Sequence, residues 1–211
     1  MNDKISIMPL FTNPLMQVQL DLDLEKLTEF AFQLQDKGKK DVQFSNKGGY
    51  HSDYIQEKKH EEFIKLKKEI NQYLQIYQSE VFRGMVFKEN IILSTREMWV
   101  NINEKHHYNE WHVHPHSTLS GVFYIKHDGS YDQGSIMFKN PINQYMSTCH
   151  WQKGIMEAAN EITAEIIKII PKSNMLLIFP SWLEHRVGVN LKNDSRISLS
   201  FNTIPILEKK S

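Results

Sequence analysis

The sequence predicts a mainly β fold with flanking helices, and two observations support this prediction. From about residue 85 onward, short runs rich in β-branched and aromatic residues alternate with turn signals, as in TLSGVFYI, GSIMF, NMLLIF and RISLSFN. Ahead of them, apolar residues recur at helical spacing in two segments. Two packed sheets or a rolled barrel are the economical ways to bury several such strands, with the two helices as outer supports.

The two helical segments differ in length. The first is LEKLTEFAFQL, with Asp23 ahead of it as an N-cap and Gly38 as its terminator. The second runs from about Lys59 to Tyr77, with an apolar stripe on one side and Lys and Glu on the other. Between them, the paired glycines of SNKGGYHSD suit a tight turn or a close backbone approach.

The chain has 211 residues, and its 25 acidic and 25 basic side chains balance. This length predicts one domain over residues 1–211, with helical supports mainly in 20–80 and the β-rich core mainly in 85–204. A net charge near zero leaves no electrostatic footprint for nucleic acid or an anionic membrane, so neither is expected as a partner. For residues 141–170 we expect a loop with short strands, because long connections often form lids or binding loops.

Cysteine content bears on the cellular compartment. Cys149 is the only cysteine, which rules out a disulfide within the chain and favours a reducing environment. The segment MNDKISIMPLF lacks the long apolar core of a signal peptide, and no apolar run approaches the length needed to cross a bilayer. We therefore expect a cytoplasmic protein.

The residues with metal-binding chemistry concentrate in NEWHVHPHSTLSGVFYI. His112 and His114 are two residues apart, so on a strand both imidazoles lie on one face, where one cation can bind a nitrogen from each. His185, in FPSWLEHRV after the apolar strand NMLLIF, is the candidate third ligand. Three protein ligands with open positions are typical of a catalytic site, and imidazole suits iron, zinc, copper and nickel alike.

A polar strand face follows in RISLSFN. Alternation directs Arg196, Ser198, Ser200 and Asn202 to one side of the strand. An inward arginine needs an anion, and its guanidinium can bind a carboxylate bidentately while the Ser198 hydroxyl adds a hydrogen bond. A dicarboxylate could reach both the metal and this arginine. The alternative is a salt bridge between Arg196 and Asp194.

Other residues near the histidines are secondary candidates. Glu110 would share the face of His112 on a regular strand and is an alternative third ligand. His116 follows at the same interval, but the intervening proline favours a loop histidine near the mouth of the site. His106 and His107 are expected in a loop, as solvent-exposed or substrate-side residues.

Taken together, these motifs resemble the 2-oxoglutarate/iron(II)-dependent dioxygenase superfamily, with H-x-H in place of H-x-D/E, a distal histidine and then R-x-S. The segments PLFTNP, SNKGGYHSD, WVNINEKHHYNEWHVHPHSTLSGVFYIK, DQGSIMFKNP and LLIFPSWLEHRVGVN resemble one group of such oxygenases found in bacteria and phages. The resemblance spans nearly the whole chain. It implies a double-stranded β-helix, or jelly roll, that uses iron(II), 2-oxoglutarate and dioxygen and releases succinate and carbon dioxide.

The resemblance also implies roles for particular residues. Iron(II) would be held by His112, His114 and His185, and 2-oxoglutarate by Arg196 with Ser198. Further candidates toward 2-oxoglutarate or the substrate lie on neighbouring strands: Tyr124, Asn101, Ser120 and Asn202. Tyr124 is equally compatible with a buried core position.

One residue departs from the superfamily pattern. His114 occupies the position where the wider superfamily has a carboxylate ligand, so three neutral imidazoles leave the iron site one negative charge short. The resemblance therefore supports the fold more directly than the activity.

Two other classes of function are compatible with the same histidines. The first is a cupin-like three-histidine metal-binding protein or metal-dependent isomerase that uses zinc, nickel or iron without 2-oxoglutarate; such a protein has no need of Arg196. The second is an inert jelly-roll structural or interaction module. The substrate itself, a small molecule, a peptide, a nucleobase or a sugar, is not indicated, and the PLFTNPLMQV strand could support a homodimer.

Overall fold

The computed structural model describes residues 11–37, 45–56, 58–82, 91–142 and 160–207. Within these ranges the chain forms two antiparallel sheets and two α-helices. No helix in the described ranges is long and apolar enough to cross a membrane.

Helix α1 spans Leu24–Lys37, and helix α2 spans Glu61–Val81. The predicted cap of α1 is confirmed, because the backbone N–H of Lys26 donates to Asp23 Oδ1 at 3.2 Å. The second helix begins and ends later than the predicted Lys59–Tyr77, since its apolar stripe continues one more turn to Val81, which packs against the core. The predicted terminator Gly38 lies outside the described residues.

The larger sheet has six strands. They are β1 Met16–Gln19, β3 Tyr50–His51, β4 Ile91–Asn103, β6 Leu119–Lys126, β9 Met175–Pro180 and β11 Arg196–Leu207. Their spatial order is β1-β9-β6-β11-β4-β3. Part of the predicted N-terminal strand is therefore an edge strand, while residues 1–10 lie outside the described ranges. Its role in a homodimer stays a prediction.

The smaller sheet has five strands. They are β2 Asn46–Lys47, β5 Tyr108–His112, β7 Ile136–Lys139, β8 Ile166–Ile169 and β10 His185–Val187. Their spatial order is β2-β5-β10-β7-β8. Strand β8 confirms a short strand in the 141–170 connection, of which residues 143–159 are not described.

Apolar side chains divide the core into two layers. Residues from both helices pack with Val100, Phe123, Ile178 and Leu199 on the outer face of the larger sheet. The second layer joins the two sheets, with Phe138 of β7 among inner-face residues of β6 and β9. Burial of this apolar surface drives the helices onto one sheet and the two sheets onto each other.

Alternation along the paired long strands β4 and β11 produces the site. Leu199 faces the helices, whereas Arg196, Ser198 and Ser200 line a cavity between the sheets, as predicted. In the register of the sheet, Arg196 pairs with Asn103 and Ser198 with Asn101. Two adjacent strands therefore present one continuous polar wall to the cavity.

The turn at Gly48 and Gly49 packs against the Asn103 end of this polar wall. Gly48 has a φ of +83°, and a Cβ on Gly49 would collide with the Asn103 side chain, so the predicted turn and close approach are both confirmed. The turn joins β2 to β3 and thereby links the two sheets.

Candidate metal centre

Three histidine side chains from different elements converge in the cavity. His112 ends β5 and pairs directly with His185, the first residue of β10. In the described part of the chain, His112, His114 and His185 each offer a ligand atom within 4.8 Å of the others. The His114 and His185 Nε2 atoms are 3.3 Å apart, and the His112 and His185 ring centroids are 4.3 Å apart.

His114 reaches the cluster by a route that strand periodicity does not explain. Strand β5 ends at His112, so the two histidines do not share a strand as predicted. The backbone N–H of His114 instead donates to the Ser181 carbonyl at 2.9 Å, which fixes the loop beside β9. The Trp99 ring lies 5.9 Å from the His114 ring, centroid to centroid.

Backbone carbonyls orient two of the imidazoles. The Nδ1 atoms of His112 and His185 lie 2.7 Å from the Glu110 carbonyl and 2.8 Å from the Leu183 carbonyl. A carbonyl only accepts, so each Nδ1 carries the hydrogen and each Nε2 keeps its lone pair. This arrangement, with the outer nitrogen bonded to a carbonyl, is typical of metal-binding histidines.

Burial keeps the three rings neutral. Desolvation lowers the pKa of His112 and lowers the pKa of His185 well below its ordinary value. Desolvation, with a smaller contribution from His112, lowers the pKa of His114 to about 3. Neutral imidazoles with converging lone pairs repel one another less than imidazolium ions would, and a cation between them satisfies all three. The residues present therefore fit a metal ion.

These pKa values predict that the metal-free protein loses stability in acid. Because the folded pKa of His114 lies near 3 and the ordinary value is 6.5, the unfolded chain binds more protons below that value. The free energy of unfolding should be constant above 6.5 and fall as the pH drops toward 3, by about 1.4 kcal/mol per pH unit from His114, and His112 and His185 should add to the loss in the same direction. Denaturant unfolding of metal-free protein at about pH 7.5 and about pH 5 measures this fall.

Two variants show whether the cluster causes this loss. His114→Phe retains a ring and should reduce the slope, whereas His116→Ala, at an exposed histidine outside the cluster, should leave it unchanged. Equal unfolding free energies at both pH values would contradict a buried neutral cluster.

Arg196 lies in the same cavity, which has a volume of about 590 Å³. Its side chain is 1% exposed, and burial lowers its pKa to about 10, so it remains a cation at neutral pH. Its Nη1 donates to the carbonyls of Gln133 and Gly188 at 2.9 and 3.1 Å. Its Nη2 is buried without a partner among the described residues.

The hydrogen bonds of Arg196 bear on both sequence interpretations of this residue. Carbonyls use both Nη1 hydrogens, so a carboxylate in the cavity would bind through Nη2, and the bidentate contact stays a prediction. The alternative salt bridge to Asp194 is wrong, because that carboxylate pairs with Lys126 at 2.6 Å on the surface. A buried cation with a free donor fits an anionic ligand.

Several predicted polar candidates also line this cavity. Ser198 and Tyr124 pair in register, and the buried Tyr124 hydroxyl has no partner in the described ranges. Burial raises the pKa of Tyr124, so its hydroxyl remains a donor. Asn101 donates to Ser200 Oγ at 3.2 Å, and its own Oδ1 is buried and unpartnered within the described chain.

Two other candidates, Asn202 and Ser120, pair in register on β11 and β6, several residues along the strands from Arg196. Asn202 lines the cavity and donates to Glu97 Oε2 at 3.0 Å. Ser120 donates to Asn202 Oδ1 at 2.8 Å and therefore supports that side chain from behind. Their hydrogen bonds are satisfied inside the protein.

Glu110 is not a member of the cluster, so its interpretation as an alternative ligand is wrong. Its side chain is half exposed and pairs with Lys47 at 3.4 Å. A register shift between β5 and β10 breaks the alternation that would have placed it beside His112. His116, with a φ of +63°, is an exposed residue lining the cavity mouth, as predicted.

The predicted loop position of the two remaining histidines is confirmed. His106 has a φ of +70°, and its backbone N–H donates to the Asn190 carbonyl. His107 Nδ1 accepts from the Glu104 backbone N–H at 3.0 Å. Neither belongs to the metal-ligand cluster of the described chain.

A protein-family comparison matches the part of the chain that carries this site. The family described as "Putative 2OG-Fe(II) oxygenase" matches residues 97–202, which include all three histidines and Arg196. This chain belongs to that oxygenase family. Members use iron(II) and 2-oxoglutarate, in agreement with the histidine cluster and the buried cation. No curated protein sequence gives a significant match.

Solved structures support the fold of this oxygenase. A Pseudomonas putida prolyl-4-hydroxylase is 14% identical with a TM-score of 0.61, covering 92% of this chain and 94% of its own. The epimerase SnoN from nogalamycin biosynthesis is 12% identical with a TM-score of 0.62, covering 91% and 78%. A collagen prolyl hydroxylase of Paramecium bursaria Chlorella virus-1 is 12% identical with a TM-score of 0.57, covering 90% and 94%. The double-stranded β-helix is confirmed.

Sequence reasoning missed the groups that hold Arg196 in this oxygenase. These are backbone carbonyls of Gln133 and Gly188, and a carbonyl carries no residue-specific signal. Trp99 was also missed, although its place two residues before Asn101 on the same strand face was a usable signal.

Proposed function

We propose that this oxygenase binds iron(II) through His112, His114 and His185, binds the distal carboxylate of 2-oxoglutarate at Arg196, and hydroxylates a C–H bond of a small-molecule or peptide substrate. The observation that carries the proposal is the unpartnered Nη2 of Arg196 inside the cavity that holds the three histidines. A metal-binding protein without 2-oxoglutarate has no use for this cation.

Different side chains would bind the metal and the co-substrate. When bound, iron(II) together with 2-oxoglutarate activates dioxygen, so that one oxygen atom enters the substrate and one enters succinate, with release of carbon dioxide. Arg196 Nη2 and the Tyr124 hydroxyl donate to the distal carboxylate, with Ser198 beside them. The Phe179 ring packs edge-on against His185, 4.8 Å between centroids, and keeps water from that ligand. The chain needs no separate general acid or base.

Spectroscopy under anaerobic conditions tests this assignment. Iron(II) and then 2-oxoglutarate are added to metal-free protein, and the weak visible charge-transfer band of chelated 2-oxoglutarate is expected. Bound iron without this band on saturation with 2-oxoglutarate would contradict the proposal. It would favour a three-histidine metal protein of the cupin-like or isomerase class.

His114→Asp tests the ligand that departs from the superfamily pattern. Aspartate restores the negative charge that three imidazoles lack, so succinate formation should be preserved or rise if His114 is a ligand. The readout is succinate per mole of iron. His116→Asp, at the exposed cavity mouth, is the matched control and should not change it. Loss of iron binding in His114→Asp alone would show that the position does not accept a carboxylate ligand.

We also propose a cytoplasmic location. The support is the single cysteine, which needs no oxidising compartment, and the balanced charge, which gives no electrostatic attraction to anionic membranes. Fractionation of cells producing the chain should recover it with cytoplasmic markers. Recovery in a membrane or exported fraction would contradict this.

A further inference from the structure

The turn around residues 131–134 holds the guanidinium of Arg196 in one orientation. A single turn of 3-10 helix spans Tyr131–Gln133 and ends at Gly134. The carbonyls of Gln133 and Gly188 accept both Nη1 hydrogens of Arg196, at 2.9 and 3.1 Å. Because a guanidinium is planar and rigid, fixing Nη1 also fixes the direction in which Nη2 points.

Gly134 makes this arrangement possible. A Cβ at this position would collide with Arg196 Nη1 and with the Gly188 carbonyl oxygen, the two atoms of one of those hydrogen bonds. Its φ is +91°, which also disfavours any side chain. Gly129, five residues earlier, has a φ of +76°, but a Cβ there would meet only Lys172 Cγ, at 3.7 Å. The two glycines thus both have a positive φ and differ in what a methyl group would strike.

His127 anchors Gly134 through a hydrogen bond to its carbonyl oxygen. The imidazole is 5% exposed, and its Nδ1 accepts from the Gly129 backbone N–H at 3.0 Å. The hydrogen is therefore on Nε2, which donates to the Gly134 carbonyl at 3.2 Å. The same ring packs edge-on against Tyr124, 5.9 Å between centroids. His127 thus touches both the turn that holds Arg196 and the tyrosine whose hydroxyl is unpartnered.

We propose that Gly134 and His127 are positioning residues that aim Arg196 Nη2 into the cavity, and that they thereby set the preference for a 2-oxo dicarboxylate over a 2-oxo monocarboxylate. The proposal rests on the assignment of Arg196 as the anchor of the distal carboxylate. Neither residue touches the metal ligands. Their effect is confined to the end of the co-substrate that carries the second carboxylate.

The test compares two probes that differ only at that end. 2-Oxopentanoate has a methyl group where 2-oxoglutarate has its distal carboxylate. The dissociation constant of 2-oxopentanoate divided by that of 2-oxoglutarate therefore isolates the contribution of the groups that bind this carboxylate, Arg196 Nη2 and the Tyr124 hydroxyl. Calorimetric titration of nickel(II)-loaded protein measures this ratio without turnover. Charge-assisted hydrogen bonds of this kind correspond to a preference of about tenfold to hundredfold in the wild type.

Gly134→Ala should lower the ratio by about tenfold or more while leaving the affinities for nickel and 2-oxopentanoate unchanged. Gly129→Ala also places a side chain at a positive φ, but its methyl group meets no atom closer than 3.7 Å and the backbone N–H that binds His127 is retained, so it should keep the wild-type ratio. Equal ratios in the two variants would overturn the proposal and leave the proposed function intact. A wild type without any preference would instead overturn the anchor role of Arg196 and this proposal with it.

A second variant covers the case in which Gly134→Ala does not fold, as judged by near-ultraviolet circular dichroism. His127→Phe keeps a buried ring and removes the hydrogen bonds to Gly129 and Gly134. The ratio should fall by about fivefold, the value of one neutral hydrogen bond. An unchanged ratio in folded His127→Phe would overturn the proposal.

Discussion

Replacing His185 by alanine is expected to abolish iron binding at micromolar metal. The side chain is 4% exposed, and its Nε2 lies 3.3 Å from that of His114, at the point where the three rings converge. Losing one of three ligands should weaken iron(II) affinity by about two orders of magnitude or more, which is about 3 kcal/mol. Competition with a chromophoric chelator under anaerobic conditions gives the affinity.

The matched control for this experiment is His116→Ala. His116 lines the same cavity but is exposed and lies outside the three-histidine cluster, so its removal should leave the iron affinity unchanged. If folded His185→Ala bound one iron per chain with wild-type affinity, the cluster would not be the metal centre.

Replacing Arg196 by glutamine should weaken 2-oxoglutarate binding by about a hundredfold while leaving iron affinity within a few-fold of the wild type. Truncating one partner of a buried charge pair costs about 2 to 5 kcal/mol. Glutamine fills much of the space of arginine and can still donate to the Gln133 carbonyl, which limits the effect on folding. The measurements are the charge-transfer band titrated with 2-oxoglutarate and the chelator competition.

Arg186→Gln is the control for the loss of a cation. The Arg186 guanidinium lies over the Trp111 ring at 5.0 Å and does not line the cavity that holds the three histidines and Arg196. Its replacement should not alter 2-oxoglutarate affinity. Loss of iron and 2-oxoglutarate binding together in Arg196→Gln would mean that Arg196 has a structural role.

Local periodicity accounts for the parts of the site that could be predicted. The alternation in RISLSFN identified Arg196 and Ser198 as cavity residues, because a strand places every second side chain on one face. The Asp23 cap and the apolar stripe of α2 were predictable for the same reason, since each depends on residues a few positions apart. Family membership then explains why the histidines and the arginine occur together.

Errors arose where a long-range contact overrides periodicity. Alternation predicts Glu110 beside His112, but the register shift between β5 and β10 turns it to solvent and toward Lys47. Alternation also predicts His114 on the same strand as His112, whereas His114 lies beyond the strand and is held by the Ser181 carbonyl. In both cases the deciding partner is distant in sequence.

Which side chains bear the chemistry can be read from the amino-acid order: three imidazoles, one guanidinium and the strand faces that carry them. The direction in which these groups point depends on the folded chain. Arg196 Nη1 is bound by two carbonyls and Nη2 is left to the cavity, a result that depends on backbone atoms of Gln133 and Gly188. Every residue has such a carbonyl, so only the folded chain specifies which two meet the arginine.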